Sequence, residues 1–188
     1  SKSGLADATC DIALSYLDDN SSPEEKEKGI KLLEESSELG SVYATYWLAH
    51  CYFTGNKVVK DVDKAIQLLR IAHAGGNKDA SYLLALTLYN SMLGFESLEE
   101  GRKYFEIAAA DGHVEANYTL GMLYNSHVER FIDYEKAFKY FQFAANKNHP
   151  KAITELGKLY ESGLGVKENK QMAFKIYHKA DHFGDPQG

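Results

Sequence analysis

The chain has 188 residues, 44% hydrophobic and 26% charged, with a formal net charge of −6. These are ordinary globular values for a chain long enough to bury one good core. Net acidity argues against binding to a nucleic-acid backbone, no run of ~18 apolar residues is present to insert into a bilayer, and two cysteines cannot build a disulfide scaffold. Only Pro23, Pro150 and Pro186 interrupt the chain, so long stretches are free to be helical.

The pattern repeats without a gap. Ala8, Ala44, Ala80, Ala116 and Ala152 are each 36 residues apart. In the first unit Gly4 precedes the alanine, Ile12 and Ala13 follow it, and Tyr16 closes the stripe; Gly29, Leu33 and Ser36 mark a second stripe. The second unit places Gly40, Leu48, Ala49, Tyr52, Ala65, Leu69 and Ala72 at the same offsets. The third has Gly76, Leu84, Ala85, Leu88, Gly101, Phe105 and Ala108, and the fourth Gly112, Leu120, Gly121, Tyr124, Ala137, Phe141 and Ala144. The fifth has Asn148, Leu156, Gly157, Tyr160, Ala173, Tyr177 and Ala180, with Gly184 beginning the series again.

These spacings are those of two helical faces per unit joined by a loop. The glycine, or Asn148, sits where a left-handed C-cap belongs. Small residues matched on both helices let the backbones approach, while large ones fill the flanking space. A lone helix pair cannot bury its apolar faces, so stacking of successive pairs must complete the core. The pattern predicts an all-α fold, a right-handed α/α solenoid of five ~36-residue units at about 4–39, 40–75, 76–111, 112–147 and 148–184, forming one repeat domain over 1–188. Both ends read as cut at unit boundaries, which implies a segment of a longer repeat protein.

The pattern resembles the Sel-one-like repeat family, relatives of the tetratricopeptide repeats. The fifth unit carries it most clearly, with Ala152, Leu156-Gly157, Tyr160, Gly163-Leu164-Gly165-Val166, Ala173-Phe174 and Tyr177. The second matches with Gly55, Val58, Asp61, Lys64-Ala65 and Ala72; the fourth keeps Asp133 and Lys136-Ala137 but has lost the glycine loop. The resemblance covers the full length, is specific for fold and says little about function. It implies a protein-interaction adaptor or scaffold. A cysteine-rich branch is linked to β-lactam binding, but its paired cysteines per repeat are missing here.

Residues of chemical interest mostly have structural readings. His178 and His182, spaced i, i+4, can hold a metal, but the intervening Lys179-Ala180-Asp181 lacks the glutamate of the zinc-protease pattern. Gly163-Leu164-Gly165 follows a helical pattern rather than a strand, so it does not read as a phosphate loop. Cys10 and Cys51 fall at different heights on parallel helices, ~12 Å apart, beyond the ~7 Å that a disulfide spans, which predicts two free thiols. No catalytic constellation, metal site or cofactor site is evident, and no enzyme is expected.

The first helix of each unit should line a concave face, and core positions do not account for everything on it. Resemblance to tetratricopeptide grooves assigns to that face Asp7, Cys10, Leu14 and Leu17 in the first unit, and Tyr43, Tyr46, His50 and Phe53 in the second. It assigns Tyr82, Leu86 and Tyr89 in the third, Tyr118 and Met122 in the fourth, and Lys158 in the fifth. Large, rigid, amphipathic tyrosines suit protein contacts. The sequence therefore points to a non-catalytic module that binds a peptide or protein in an aromatic groove. The alternatives are an assembly element that self-associates, as a homodimer, through its solenoid ends, and more distantly a β-lactam-binding or hydrolysing enzyme.

Overall fold

The computed structural model describes residues 2–18, 20–55, 57–90, 95–126 and 131–184, without the side chains of 2–5, 95–96 and 179–184. Among them ten helices and no strands occur: α1 (Lys2–Tyr16), α2 (Pro23–Glu38), α3 (Val42–Thr54), α4 (Val62–Ala74), α5 (Lys78–Asn90), α6 (Phe95–Ala110), α7 (Val114–Tyr124), α8 (Tyr134–Asn146), α9 (Pro150–Ser162) and α10 (Lys170–Gly184). They are consecutive antiparallel pairs, each pair one repeat. The chain divides into two compact units, Ser1–Tyr104 and Phe105–Gly188.

The turn between repeats is built the same way four times. Gly40, Gly76 and Gly112 take φ of 91°, 90° and 86°, and Asn148 takes 61°. That left-handed residue lets the chain double back, so the next N–H reaches the carbonyl five residues earlier: Ser41 to Ser36, Asn77 to Ala72, His113 to Ala108 and His149 to Ala144. The same four residues then start the next helix. Ser41 Oγ, Asn77 Oδ1, His113 Nδ1 and His149 Nδ1 accept from the N–H of Ala44, Ala80, Ala116 and Ala152 at 3.1, 2.9, 3.2 and 3.1 Å. One side chain per turn therefore satisfies a donor that the helix start would leave orphaned.

The loops inside repeats are also copied. Asp61, Asp133 and Asn169 donate their N–H to the carbonyls of Tyr52, Tyr124 and Tyr160. Their side chains cap α4, α8 and α10. Ser22 caps α2 through a reciprocal capping box with Glu25.

Packing follows the small-residue columns. A Cβ on Gly29 would stand 2.9 Å from the Ala13 carbonyl oxygen, and one on Gly101 3.1 Å from that of Ala85. Ala65 and Ala137, at the same position in their repeats, are fully buried. Large residues one turn on fill the joint: Leu33 and Leu69 in the first unit, Phe105 and Phe141 in the second, all fully buried. The second and third repeats also pack back on their predecessors. Ala44 and Leu48 join the cluster of Ile30 and Leu33, and Ala80 and Leu84 join that of Ile66 and Leu69.

The first helix departs from the expected register. Ala8 is exposed and Ile12 is 54% exposed, whereas Ala6, Cys10, Ala13 and Leu17 are buried. At Ala8 and Ile12 the later repeats carry the residues that pack backwards, and α1 has no described helix behind it. Cys10 and Leu17, expected on the groove, instead join the core with Ile30 and Leu33. Both cysteines are buried, free thiols.

Candidate functional site: the exposed aromatic face of the first helices

In the first unit, α3 and α5 carry seven of the candidate residues. Tyr43 is 44% exposed and Tyr89 40%. Tyr46, His50, Phe53, Tyr82 and Leu86 are partly buried. Tyr46, Phe53 and Leu86 lean against the cluster built on Leu69 and Leu84, with an edge left towards solvent. Burial raises the Tyr46 hydroxyl pKa, and the charge of Asp79 in the first turn of α5 raises it further. Tyr46 therefore stays a neutral hydroxyl beside a carboxylate, able to donate and accept.

Trp47 organises this face, although its position is not among the groove residues read from the sequence. Tyr43, Tyr46 and His50 each meet it edge-on, at 6.1, 5.6 and 5.6 Å between ring centres. Its Nε1 is buried with no hydrogen-bond acceptor among the described residues. The residue occupies a position where neighbouring repeats have Asp11 and Leu83, so no column signals it. His50 is held neutral by desolvation, which pushes its pKa down.

In the second unit, α7 and α9 carry Tyr118, Met122 and Lys158. Tyr118 stacks on the His149 ring at 4.5 Å, with 22° between planes. His149 Nε2 meets Glu115 Oε2 at 3.1 Å. Because Nδ1 accepts the Ala152 N–H, Nε2 carries the proton and donates to Glu115. Tyr118 is thus fixed in place, partly buried beside a capping histidine that no motif in the sequence singles out. Burial raises its pKa, Glu155 and Glu115 raise it further, and Lys158 opposes them. Met122 is 42% exposed. Lys158 pairs with Glu155 at 2.8 Å, which offsets much of its charge.

No group of three or more potential metal-binding side chains occurs among the described residues. His178 is exposed on α10, and the side chain of His182 lies outside the described residues. Gly163 and Gly165 take positive φ of 71° and 68°, as members of the loop that Asn169 and Tyr160 close. No described helix is long and apolar enough to cross a membrane.

A comparison with curated proteins finds no match. Among solved structures, a protective antigen of uropathogenic Escherichia coli with an SLR fold has a TM-score of 0.75 and 28% identity, covering 83% of this chain and 33% of its own. A Sel1 repeat protein from Oxalobacter formigenes has a TM-score of 0.71 and 26% identity, covering 96% and 52%. One from Klebsiella pneumoniae subsp. pneumoniae shares the fold, with a TM-score of 0.59 at 23% identity over 95% and 87%. This chain therefore spans a third and about half of the first two. The Sel1 repeat pattern matches residues 6–41, 42–77, 78–113, 114–149 and 150–180, so this all-α solenoid chain belongs to the Sel1 repeat family.

Proposed function

We propose that this chain is a non-catalytic binding module that holds a peptide or protein segment against the aromatic face of its first helices. Sel1 repeats are in general protein–protein interaction scaffolds. The observation that carries the reading is the excess of large side chains on α3, α5 and α7 that the core does not require. Tyr43, Tyr89 and Met122 are 40–44% exposed, while alanines and leucines on the same helices fill the joints. Tyrosine and methionine are side chains that desolvate well against a partner. A photo-crosslinking residue at Tyr89 tests it. A segment of the partner should be trapped there, and not from Ile71, equally hydrophobic and 60% exposed on α4. Trapping from Ile71 alone contradicts the proposal.

Self-association is a second reading, favoured by Phe174, which is 70% exposed on α10 although the equivalent Ile30 and Ile66 are buried. Light scattering of the wild type and Phe174→Glu separates the two. A dimer lost in the variant supports assembly, and a monomer in both leaves binding as the function.

A further inference from the structure

The column of turn residues that starts each first helix changes its chemistry along the chain. Ser41 and Asn77, which cap α3 and α5, do not titrate. His113 and His149, which cap α7 and α9, do, and both accept the helix N–H through Nδ1. The titratable caps of this column therefore fall in the second unit.

His149 has two contacts that a charged ring cannot keep together. Its side chain is 10% exposed. Nδ1 accepts the Ala152 N–H at 3.1 Å, Nε2 donates to Glu115 Oε2 at 3.1 Å, and the ring stacks on Tyr118 at 4.5 Å. With the neutral ring's proton on Nε2, a second proton has only Nδ1 to go to. Nδ1 then becomes a donor facing the Ala152 N–H, and a positive charge stands at the N-terminus of α9, where the helix dipole opposes it. The contact with Glu115 survives and becomes an ion pair. The other charges nearby do not replace it. Glu155 of α9 is held by Lys158 at 2.8 Å, while Lys147 and Lys151 flank the turn and are exposed.

The backbone allows the ring to leave. Pro150 opens α9 without an N–H of its own and favours the extended conformation that His149 has, with φ −71° and ψ 114°. Asn148 at positive φ and the bond from His149 N–H to Ala144 hold the turn independently of the imidazole. Rotation of the side chain is then enough to give up the cap.

We infer that His149 is a pH-operated latch on Tyr118. Neutral, it caps α9 and holds the tyrosine against its ring; protonated, it keeps Glu115, gives up Ala152 and releases Tyr118. The latch regulates the face proposed above and rests on that reading for its consequence alone. A released Tyr118 must be ordered again on binding, so acid weakens the grip of the second unit, while α3 and α5 keep their caps.

The latch is tested without a partner. NMR of the whole chain between about pH 8 and about pH 5, a window around the ordinary histidine value, follows the His149 ring, the Tyr118 ring and the Ala152 amide. All three should move with one midpoint. At the acid end the Ala152 amide should exchange about fivefold faster than in His149→Asn at the same pH, the effect of a lost N-cap. His149→Asn, which caps without titrating, should abolish the response of Tyr118 and Ala152. His149→Ala should show the fast exchange at both ends of the window. The Ala44 and Ala80 amides should stay unchanged in all three proteins. Tyr118 and Ala152 signals that stay still while His149 titrates overturn the inference, as do signals that move equally in His149→Asn. Loss of helical circular dichroism across the same window overturns it too, since the change is then global unfolding. The binding reading fails separately: a titrating latch, with no partner trapped from Tyr89 at either pH, leaves the latch standing and removes the module.

Discussion

His149 joins three interactions in one side chain. It caps α9 through Nδ1, donates from Nε2 to Glu115, and gives Tyr118 a ring to stack on. His149→Ala should cost about 1 kcal/mol in urea unfolding, the usual value of a lost N-cap. His149→Asn should retain most of that, because an asparagine caps the same position at Asn77. His50 shows a different dependence. Burial lowers its pKa, so the unfolded chain takes up a proton first as pH falls. Its contribution to stability is complete above the ordinary histidine value of about 6.5 and declines as pH falls from there towards the depressed folded value. The urea midpoint of the wild type should fall more steeply between neutral and mildly acidic pH than that of His50→Gln. The thiols give a third expectation. Burial raises both, and Cys10 reaches about 11, with Asp11 and Asp7 adding to the effect. Ellman's reagent should react slowly with the native protein and release two equivalents only at the rate of unfolding.

Among the elements, the helix pairs were readable because a close crossing admits only small residues, and that rule is written at fixed spacing. Ala137 tests it: fully buried on α8, it has no room for four-carbon branching. Ala137→Leu should cost ~1–3 kcal/mol by overpacking, seen as a lower melting temperature. Gly121 makes the same point on α7, since a Cβ there would stand 2.5 Å from the buried Phe141 ring. The register of α1 was not readable. Columns record which residue occupies a position and leave out whether a neighbour exists to cover it, so Ala8 and Ile12 were expected in the core that Cys10 and Leu17 occupy. The capping column of Ser41, Asn77, His113 and His149 was present in the sequence. Residue size and type do not reveal it, because the four residues share only the capacity to accept a hydrogen bond.

At the scale of the molecule, the repeat determines the fold closely and the proposed binding residues loosely. Tyr43, Tyr46, Tyr82 and Tyr118 could be placed on first helices and off the core columns from spacing alone, but a place off the columns does not decide burial, as Cys10 and Leu17 show. Trp47 could not, because its column holds Asp11 and Leu83 in the neighbouring repeats and its partial burial comes from packing against the cluster of Leu17, Ile30 and Leu33. The central claim is that the aromatic face binds and the columns fold. Tyr82 separates the two, being partly buried on α5 and outside the columns. The deciding measurement is partner affinity and melting temperature together for Tyr82→Ala. The account expects binding to weaken by ~2 kcal/mol or more, with a much smaller change in stability. Unchanged binding with a large loss of stability would make Tyr82 a core residue and contradict the account.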